Sequence, residues 1–417
     1  MPRMGKFPAF GKRFFRRARK LLGSCHFAHF WRAVVAIAAM NGRRSLDRIE
    51  KACRNHRTRQ SIAFFLSRAE WDAPEVLRET ALDTLKKLGW KLGETVYVVL
   101  DDTQKKKRGK RMDAVSKIFL HAEKVYAQGH TILGCALVYR GVVIPYAVRL
   151  WACEEFCEQS QTRKDSQEHV DFRKLTALAG ESIEQIDLPK GARAIVMFDS
   201  YYLCPRVIRA CKTQEFPYVG VAKKNRNFYP DKRSWDKRKV GKYGANVLKR
   251  EGCWQKANGK KHRLAQRVGR LSKIGRVKLV FSRRPRENSW ITLATNETRW
   301  AAATVLSHYL NRWWIEVHFK MSKQYLGLGD YQLLRYRGIE RYLHLVMISY
   351  LLLTHLAAPE PSAQADLRKT QNELRLQSIL QVQQVLREKL WDDTVNNLVK
   401  GSRNRRVGKK MKELLLF

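Results

Sequence analysis

Two apolar, β-prone runs that each end in an aspartate constrain the fold of this chain most. The run 96–100 stops at Asp101 and Asp102, and the run 194–198 stops at Asp199. Continuous apolar runs of this length are typical of strands that are buried on both faces of a sheet. The sequence therefore predicts an α/β domain in which two buried strands present carboxylates at their carboxyl ends.

The chain is strongly basic, with a formal net charge of +44 over 417 residues. This charge exceeds what solubility requires and recurs along the whole chain, so it indicates a polyanionic partner. The longest apolar stretch, 343–358, is interrupted by His344, Ser349 and His355. Because it is shorter than the roughly 20 apolar residues that span a bilayer, it predicts a buried helix and no membrane association.

The first 92 residues are expected to form a helical DNA-binding domain with a basic N-terminal arm. Apolar residues recur at helical spacing over 26–90, and Arg57 and Arg59 precede the apolar run 62–66. Two short helices with a basic entry to the second suit a helix-turn-helix reader of DNA. An ordinary helical bundle fits the same pattern.

The rest of the chain divides into two further predicted parts. Residues 93–357 are expected to form a catalytic domain with a β-rich insertion over about 223–298, and residues 358–417 a C-terminal helix and a basic tail. The predicted elements begin with a basic loop, 105–111, and a hairpin of the strands 131–139 and 142–151. Four helices are predicted at 166–186, 205–212, 300–326 and 339–356, followed by a C-terminal Gln-rich helix at 365–391.

A third carboxylate, Glu316, falls on the predicted helix 300–326. Carboxylates that converge from separate elements can hold two divalent ions beside a scissile phosphate. Adjacent residues of a strand face opposite sides, so Asp101 and Asp102 cannot both contribute; the Asp-x-Thr pattern favours Asp101, with Asp102 as the alternative. On the residues alone, a strand-end aspartate also serves as a turn cap, and a helical glutamate as a surface ion pair.

Four residues carry a resemblance to a known family. Tyr309, Arg312, Glu316 and Lys323 follow the spacing Tyr-x2-Arg-x3-Glu-x6-Lys, which resembles the Y-R-E-K signature of DDE transposases from bacterial insertion sequences. Residues 100–103 and 198–201 are similar to the two aspartate strands of the ribonuclease-H-like nucleotidyl-transferase fold, and the likeness extends over roughly residues 40–350.

The resemblance implies a ribonuclease-H-like mixed sheet flanked by helices, with the β-rich insertion between the second aspartate and the glutamate. It implies cut-and-paste DNA transposition, in which Asp101, Asp199 and Glu316 hold two divalent metal ions, Mg²⁺ or in its place Mn²⁺. The implied partners are the terminal inverted repeats and the target DNA, bound by a homodimer in the bacterial cytoplasm near the nucleoid.

Several basic and aromatic residues are candidate DNA contacts. Arg312 can fork onto a phosphate, Lys323 can act as a point charge, and Tyr309 can hydrogen-bond a phosphate or stack on a base. The basic loop and the N-terminal region add Lys105, Lys106, Lys107, Arg108, Arg57 and Arg59. A non-catalytic DNA-binding protein and a ribonuclease H are alternatives, but such nucleases lack the tyrosine, arginine and lysine that surround Glu316.

Overall fold

The computed structural model of the protein describes residues 7–53, 59–109, 111–120, 123–162, 169–231, 235–358 and 379–401. Its helices are α1 (Gly11–Phe14), α2 (Arg16–Leu21), α3 (Ser24–Ala39), α4 (Leu46–Cys53), α5 (Arg59–Ser67), α6 (Ala73–Lys87), α7 (Glu154–Thr162), α8 (Leu175–Glu184), α9 (Pro205–Thr213), α10 (Val240–Glu251), α11 (Ala302–Tyr309), α12 (Trp313–Tyr325), α13 (Tyr336–Ala357) and α14 (Ile379–Gly401).

Twelve strands of the described residues join in one sheet. They are β1 (Thr95–Lys106), β2 (Ser116–Leu120), β3 (Val125–Tyr139), β4 (Val142–Trp151), β5 (Arg193–Phe198), β6 (Tyr218–Val221), β7 (Asn227–Pro230), β8 (Arg238–Lys239), β9 (Cys253–Ala257), β10 (Lys260–Leu271), β11 (Gly275–Arg283) and β12 (Trp290–Thr295).

The centre of the sheet has the order β4-β3-β1-β5-β6. β1 is antiparallel to β3 and β3 to β4, whereas β1, β5 and β6 run parallel. The sheet then continues through β12, β11, β10, β7 and β8, with β9 beside β10 and β2 beside β3. This mixed sheet flanked by helices confirms the predicted α/β class and is consistent with a ribonuclease-H-like fold.

The β3–β4 hairpin was predicted correctly, and its turn explains why. Arg140 and Gly141 link the two strands, and both have positive φ angles, 50° and 79°. Two-residue turns with positive φ at both positions match the twist of the strands that they join. The hairpin supplies β3 as the antiparallel partner of β1 over ten residue pairs, from Tyr97 with Val138 to Lys106 with Gly129.

The helix α13 confirms the predicted buried helix over 343–358. It packs against β4 and against α3, α5 and α6. Its polar groups have partners, since Ser349 donates to the carbonyl oxygen of Val34 at 3.0 Å and Tyr342 to that of Arg44 at 2.9 Å. The N-terminal helices and the sheet therefore share one core through α13.

Two further observations concern the predicted N-terminal and membrane properties. In the described part of the chain, no helix has the length and apolar character needed to cross a membrane. The helices α4 and α5 contact each other, but residues 54–58 between them, which include Arg57, lie outside the described residues. A DNA-binding role for residues 1–92 stays a prediction.

Several elements differ from the predictions, and for β1 the cause is its pairing with a distant strand. β1 continues beyond its aspartates to Lys106, since β3 is long enough to pair with it there, so Lys105 and Lys106 are strand residues and not loop residues. The predicted helix 300–326 is two helices joined by a 3₁₀ turn, Leu310–Arg312. The insertion contains the helix α10, and α7 was not predicted. Of the predicted helix 365–391, residues 365–378 lie outside the described residues.

Candidate active site

A single guanidinium group joins two of the predicted catalytic carboxylates. Nη1 of Arg312 donates to Oδ2 of Asp101 at 3.0 Å, and Nη2 donates to Oε1 of Glu316. The side chains of Arg312 and Asp101 are only 16% and 17% exposed, so water screens this ion pair weakly. The structure thus brings Asp101 in β1 and Glu316 in α12 to the same arginine.

A glycine in β3 allows α12 to lie close to the sheet at this point. Gly134 is the residue opposite Asp101, and the ring of Phe319 lies over it. A Cβ atom at Gly134 would come within 2.6 Å of Cζ of Phe319. Because Phe319 follows Glu316 by less than one helical turn, its contact with Gly134 fixes the distance of the glutamate from β1.

The second aspartate comes to the same edge of the sheet as the first. β1 and β5 pair in parallel as far as Val99 with Met197, so Asp101 and Asp199 each lie two residues beyond this pair. One oxygen of Asp199, Oδ1, accepts from the backbone N–H of Tyr201 at 2.8 Å. Asp199 therefore caps the turn after β5 through one oxygen of its carboxylate.

Asp102 has a different partner from Asp101. The hydroxyl group of Tyr202 donates to Oδ1 of Asp102 at 2.7 Å, and the Tyr202 side chain is fully buried. Burial and the charge of Asp102 raise the pKa of this hydroxyl, so it stays protonated as a donor. The geometry accordingly favours Asp101 as the aspartate that works with Glu316. Sequence reasoning did not single out Tyr202.

The negative charges around Asp101 repel its own carboxylate. Burial raises its pKa to about 7; the positive charge of Arg312 opposes this rise, and the negative charges of Asp102, Asp199 and Glu316 add to it. Four acidic side chains thus lie near enough to interact. This concentration of negative charge attracts cations, and Arg312 is the cation present.

The carboxylates fit a divalent metal in kind, because Mg²⁺ and Mn²⁺ prefer oxygen ligands. In the arrangement seen here, however, the described residues contain no group of three or more His, Cys, Asp or Glu side chains that could hold a metal ion. Arg312 lies between Asp101 and Glu316 in this arrangement.

A cleft opens beside this ion pair, between the insertion and the turn that joins α11 to α12. It has a volume of about 770 Å³. The residues that line it are Asn258, Lys260, His262, Arg284, Ile291, Tyr309, Leu310, Asn311, Arg312, Trp313 and Trp314. Trp313 is 61% exposed, whereas Trp314 is partly buried against the core. The cleft combines apolar walls with basic side chains.

Two of the predicted basic DNA contacts bind backbone carbonyl oxygens of the protein. Nζ of Lys107 donates to the carbonyl oxygens of Gly329 at 2.8 Å and Tyr331 at 3.2 Å, and burial lowers its pKa to about 7. Nζ of Lys323 donates to the carbonyl oxygen of Gln104 at 2.8 Å. In this structure the ammonium groups of these two lysines therefore bind backbone carbonyl oxygens of residues that are distant in the sequence.

The other predicted contacts lie nearer the surface. Lys106 is exposed and lies 3.7 Å from Glu123, and Arg108 is also exposed. Lys105 is half-buried, with its side chain over Gly329. Arg59 begins α5.

Comparison with known proteins gives one family match. A family model described as "DDE superfamily endonuclease" matches residues 26–279. The matched residues make up more than half of the chain and include Asp101 and Asp199, but they end before Glu316. No curated protein matches the chain.

Proposed function

Because the chain belongs to the DDE superfamily endonucleases, we propose that it is the transposase of a bacterial insertion sequence, from the branch with the Y-R-E-K signature. Membership of this family implies DNA as the substrate. The proposed reaction is cleavage at the ends of a mobile element followed by transfer of the strand into target DNA. The observation that carries the proposal is the convergence of Asp101, Arg312 and Glu316, which joins the first aspartate strand to the signature helix.

In this proposal Asp101, Asp199 and Glu316 hold two divalent ions, Mg²⁺ or Mn²⁺. The ions, when bound, polarise the scissile phosphate and activate the attacking water or 3′-hydroxyl group. The chain itself positions the carboxylates: the Phe319 contact sets the depth of Glu316, and the turn after β5 holds Asp199. Asp102 stays outside the metal site because Tyr202 holds it.

The cleft beside the carboxylates is the proposed entry for a DNA end. Lys260 and Arg284 supply positive charge to its walls, and the exposed face of Trp313 offers a stacking surface for a base. Arg312 and Tyr309 lie where the cleft meets the carboxylates, so their proposed ligand is a phosphate near the cleaved bond. Lys106 and Arg108 can reach the flanking backbone of the same DNA.

The predicted domains and partners belong to the same proposal. Residues 1–92 bind the terminal repeats, residues 93–357 cut and join, and residues 358–417 add a C-terminal contact. Two element ends must be brought together, so the active species is a homodimer on DNA. We place it in the cytoplasm near the nucleoid, where its DNA substrate is found.

The test is cleavage of a supercoiled plasmid that carries the DNA flanking this gene, in Mg²⁺ or Mn²⁺. The variants are Glu316→Gln and, as a matched control, Glu158→Gln, which changes an exposed glutamate of α7. End-specific nicks or an excised fragment should appear with the wild type and the control. With Glu316→Gln they should vanish while DNA binding persists; equal cutting by Glu316→Gln removes this residue from the site.

A further inference from the structure

The space between the first and third carboxylates is taken by a side chain of the protein itself. Arg312 contacts both Asp101 and Glu316, and it is the cation that balances their charge. Burial lowers the pKa of Arg312, but Tyr309, Asp101 and Glu316 raise it by a larger amount, so the guanidinium group stays charged. Arg312 occupies one oxygen of each carboxylate, so a divalent ion that binds Asp101 and Glu316 through these oxygens competes with it.

The same arginine is also within reach of the DNA cleft. It lines the cleft together with Trp313, and its Cζ atom lies 5.8 Å from the centre of the Tyr309 ring. A guanidinium group forms paired hydrogen bonds with a phosphate as readily as with a carboxylate. A phosphate in the cleft therefore offers Arg312 a second anion without a long movement.

We propose that Arg312 is the resident counter-ion of the carboxylate site, and that a DNA phosphate draws it away so that Asp101 and Glu316 become free for a divalent metal. Metal and DNA then bind cooperatively. The DNA half of this inference rests on the proposed function, whereas the counter-ion half depends only on the geometry of Asp101, Arg312 and Glu316.

Thermodynamic linkage gives the inference a quantitative form. If DNA strengthens metal binding by a given factor, the metal must strengthen DNA binding by the same factor. Couplings between two sites commonly range from about 5-fold to 150-fold, and we expect about tenfold here. An arginine that only held α12 against β1, and stayed on the carboxylates with DNA bound, would produce no coupling.

The first measurement uses wild-type protein and Mn²⁺, with free Mn²⁺ measured by electron paramagnetic resonance. Titrations are carried out without DNA and with a duplex that already ends at the cleavage point, so that no cutting occurs. The background from DNA is measured with the same duplex and Asp101→Asn protein, which lacks the first carboxylate. We expect Mn²⁺ to bind about tenfold more tightly with the duplex, and the duplex to bind about tenfold more tightly with Mn²⁺.

The second measurement compares Arg312→Gln with Arg284→Gln, which removes another arginine from the same cleft but leaves the carboxylates untouched. Without DNA, Arg312→Gln should bind Mn²⁺ about tenfold more tightly than the wild type, and DNA should change this affinity little. Arg284→Gln should bind DNA more weakly while keeping the wild-type affinity for Mn²⁺. Thermal unfolding checks that each variant is folded. If Arg312→Gln does not fold, Arg312→Met, which also removes the positive charge, takes its place.

Equal Mn²⁺ affinity of the wild type with and without duplex overturns the inference, as does DNA-free Arg312→Gln that binds Mn²⁺ no better than the wild type. The plasmid assay decides the proposed function separately. Cleavage with uncoupled metal binding keeps the transposase and removes the counter-ion role. Tighter DNA-free metal binding by Arg312→Gln without any cleavage keeps the counter-ion role and removes the transposase.

Discussion

β1 and β5 both begin as buried apolar strands and both lead to an aspartate, yet they continue differently. β1 runs on through Asp101 and Asp102 to Lys106, because β3 pairs with it along that whole length. β5 ends at Phe198, and Asp199 folds its carboxylate back onto the turn that follows. Similar local sequence thus gives a carboxylate held by an arginine in one strand and a turn cap after the other.

The largest effect is expected when the two neighbouring aspartates of β1 are substituted one at a time. Asp101→Asn removes the carboxylate that faces Arg312, so we expect plasmid nicking to fall on the order of a thousandfold. Asp102→Asn changes the carboxylate that Tyr202 binds, and the loss should be no more than about tenfold. Initial rates of nicking at fixed Mg²⁺ measure both. If Asp102→Asn is the inactive variant, Asp102 is the ligand and the Asp101–Arg312 pair is structural.

The next largest effect concerns a glycine in each of two neighbouring strands, Gly134 in β3 beside β1 and Gly220 in β6 beside β5. Gly134→Ala would press a Cβ against Phe319, and Gly220→Ala would place one 2.2 Å from Cε2 of Phe198. Overpacking of this kind costs about 1–3 kcal/mol, which urea unfolding measures. Gly134→Ala displaces α12 with Glu316, whereas Gly220→Ala presses on Phe198 and the turn holds Asp199 after it, so Gly134→Ala should slow cleavage by folded protein more. Equal slowing by both variants would contradict the role of Gly134 in placing the helix.

A smaller effect should come from the hydrogen bond between Tyr202, which follows β5, and Asp102 in β1. Tyr202→Phe removes one hydrogen-bond donor to the half-buried carboxylate of Asp102. The expected loss is about 1–3 kcal/mol in the free energy of unfolding. Tyr201→Phe, at a side chain that is 49% exposed, is the matched control and should change stability by less than about 0.5 kcal/mol. Equal stability of the two variants would show that the Tyr202 contact is not formed in solution.

The smallest effect lies at the amino end of β1, far from the carboxylates. Burial tends to raise the pKa of Glu94, but hydrogen bonds from Tyr139, Arg140 and the Lys91 backbone outweigh it and lower the pKa. A carboxylate with a lowered folded-state pKa stabilises the protein fully above its unfolded pKa, and this contribution disappears as the pH falls through the folded value.

Glu94→Gln should therefore be less stable than the wild type at pH 7 by at most about 1 kcal/mol, because the pair is partly exposed. At about pH 3 the difference should be smaller, because the pH is then below the unfolded-state pKa of Glu94 and the contribution of its charge is being lost. Urea midpoints at the two pH values test this. A difference that grows on acidification would reverse the sign of the argument.

The elements that were predicted well are those whose signal is local. The buried runs of β1 and β5, the turn at Arg140 and Gly141 and the buried helix α13 each follow from periodicity or turn chemistry within a few residues. Even so, the prediction that β1 ends at its aspartates was wrong, because its end is set by β3, a separate strand. The 3₁₀ turn before Trp313 was likewise invisible in a pattern that reads as one helix.

The candidate site was predicted as a set of residue types, but its arrangement was not. Lys107 was predicted as a DNA contact from the basic run 105–111 and Lys323 from the four-residue signature, but neither signal shows that both donate to backbone carbonyl oxygens in the fold. No sequence signal pointed to the hydroxyl of Tyr202 as the partner of Asp102. These contacts join residues about 100 to 220 positions apart, so neighbouring sequence carries no information about them.

The sequence by itself determined that the chain is a basic α/β protein with carboxylates directly after two buried apolar runs and a third carboxylate within a four-residue signature. Only the tertiary structure decided that Asp101 faces the signature helix and Asp102 faces away, and that Arg312 lies between Asp101 and Glu316. The reason is physical: strand periodicity and charge are properties of the chain, whereas the direction and partner of a side chain depend on which elements pack against it.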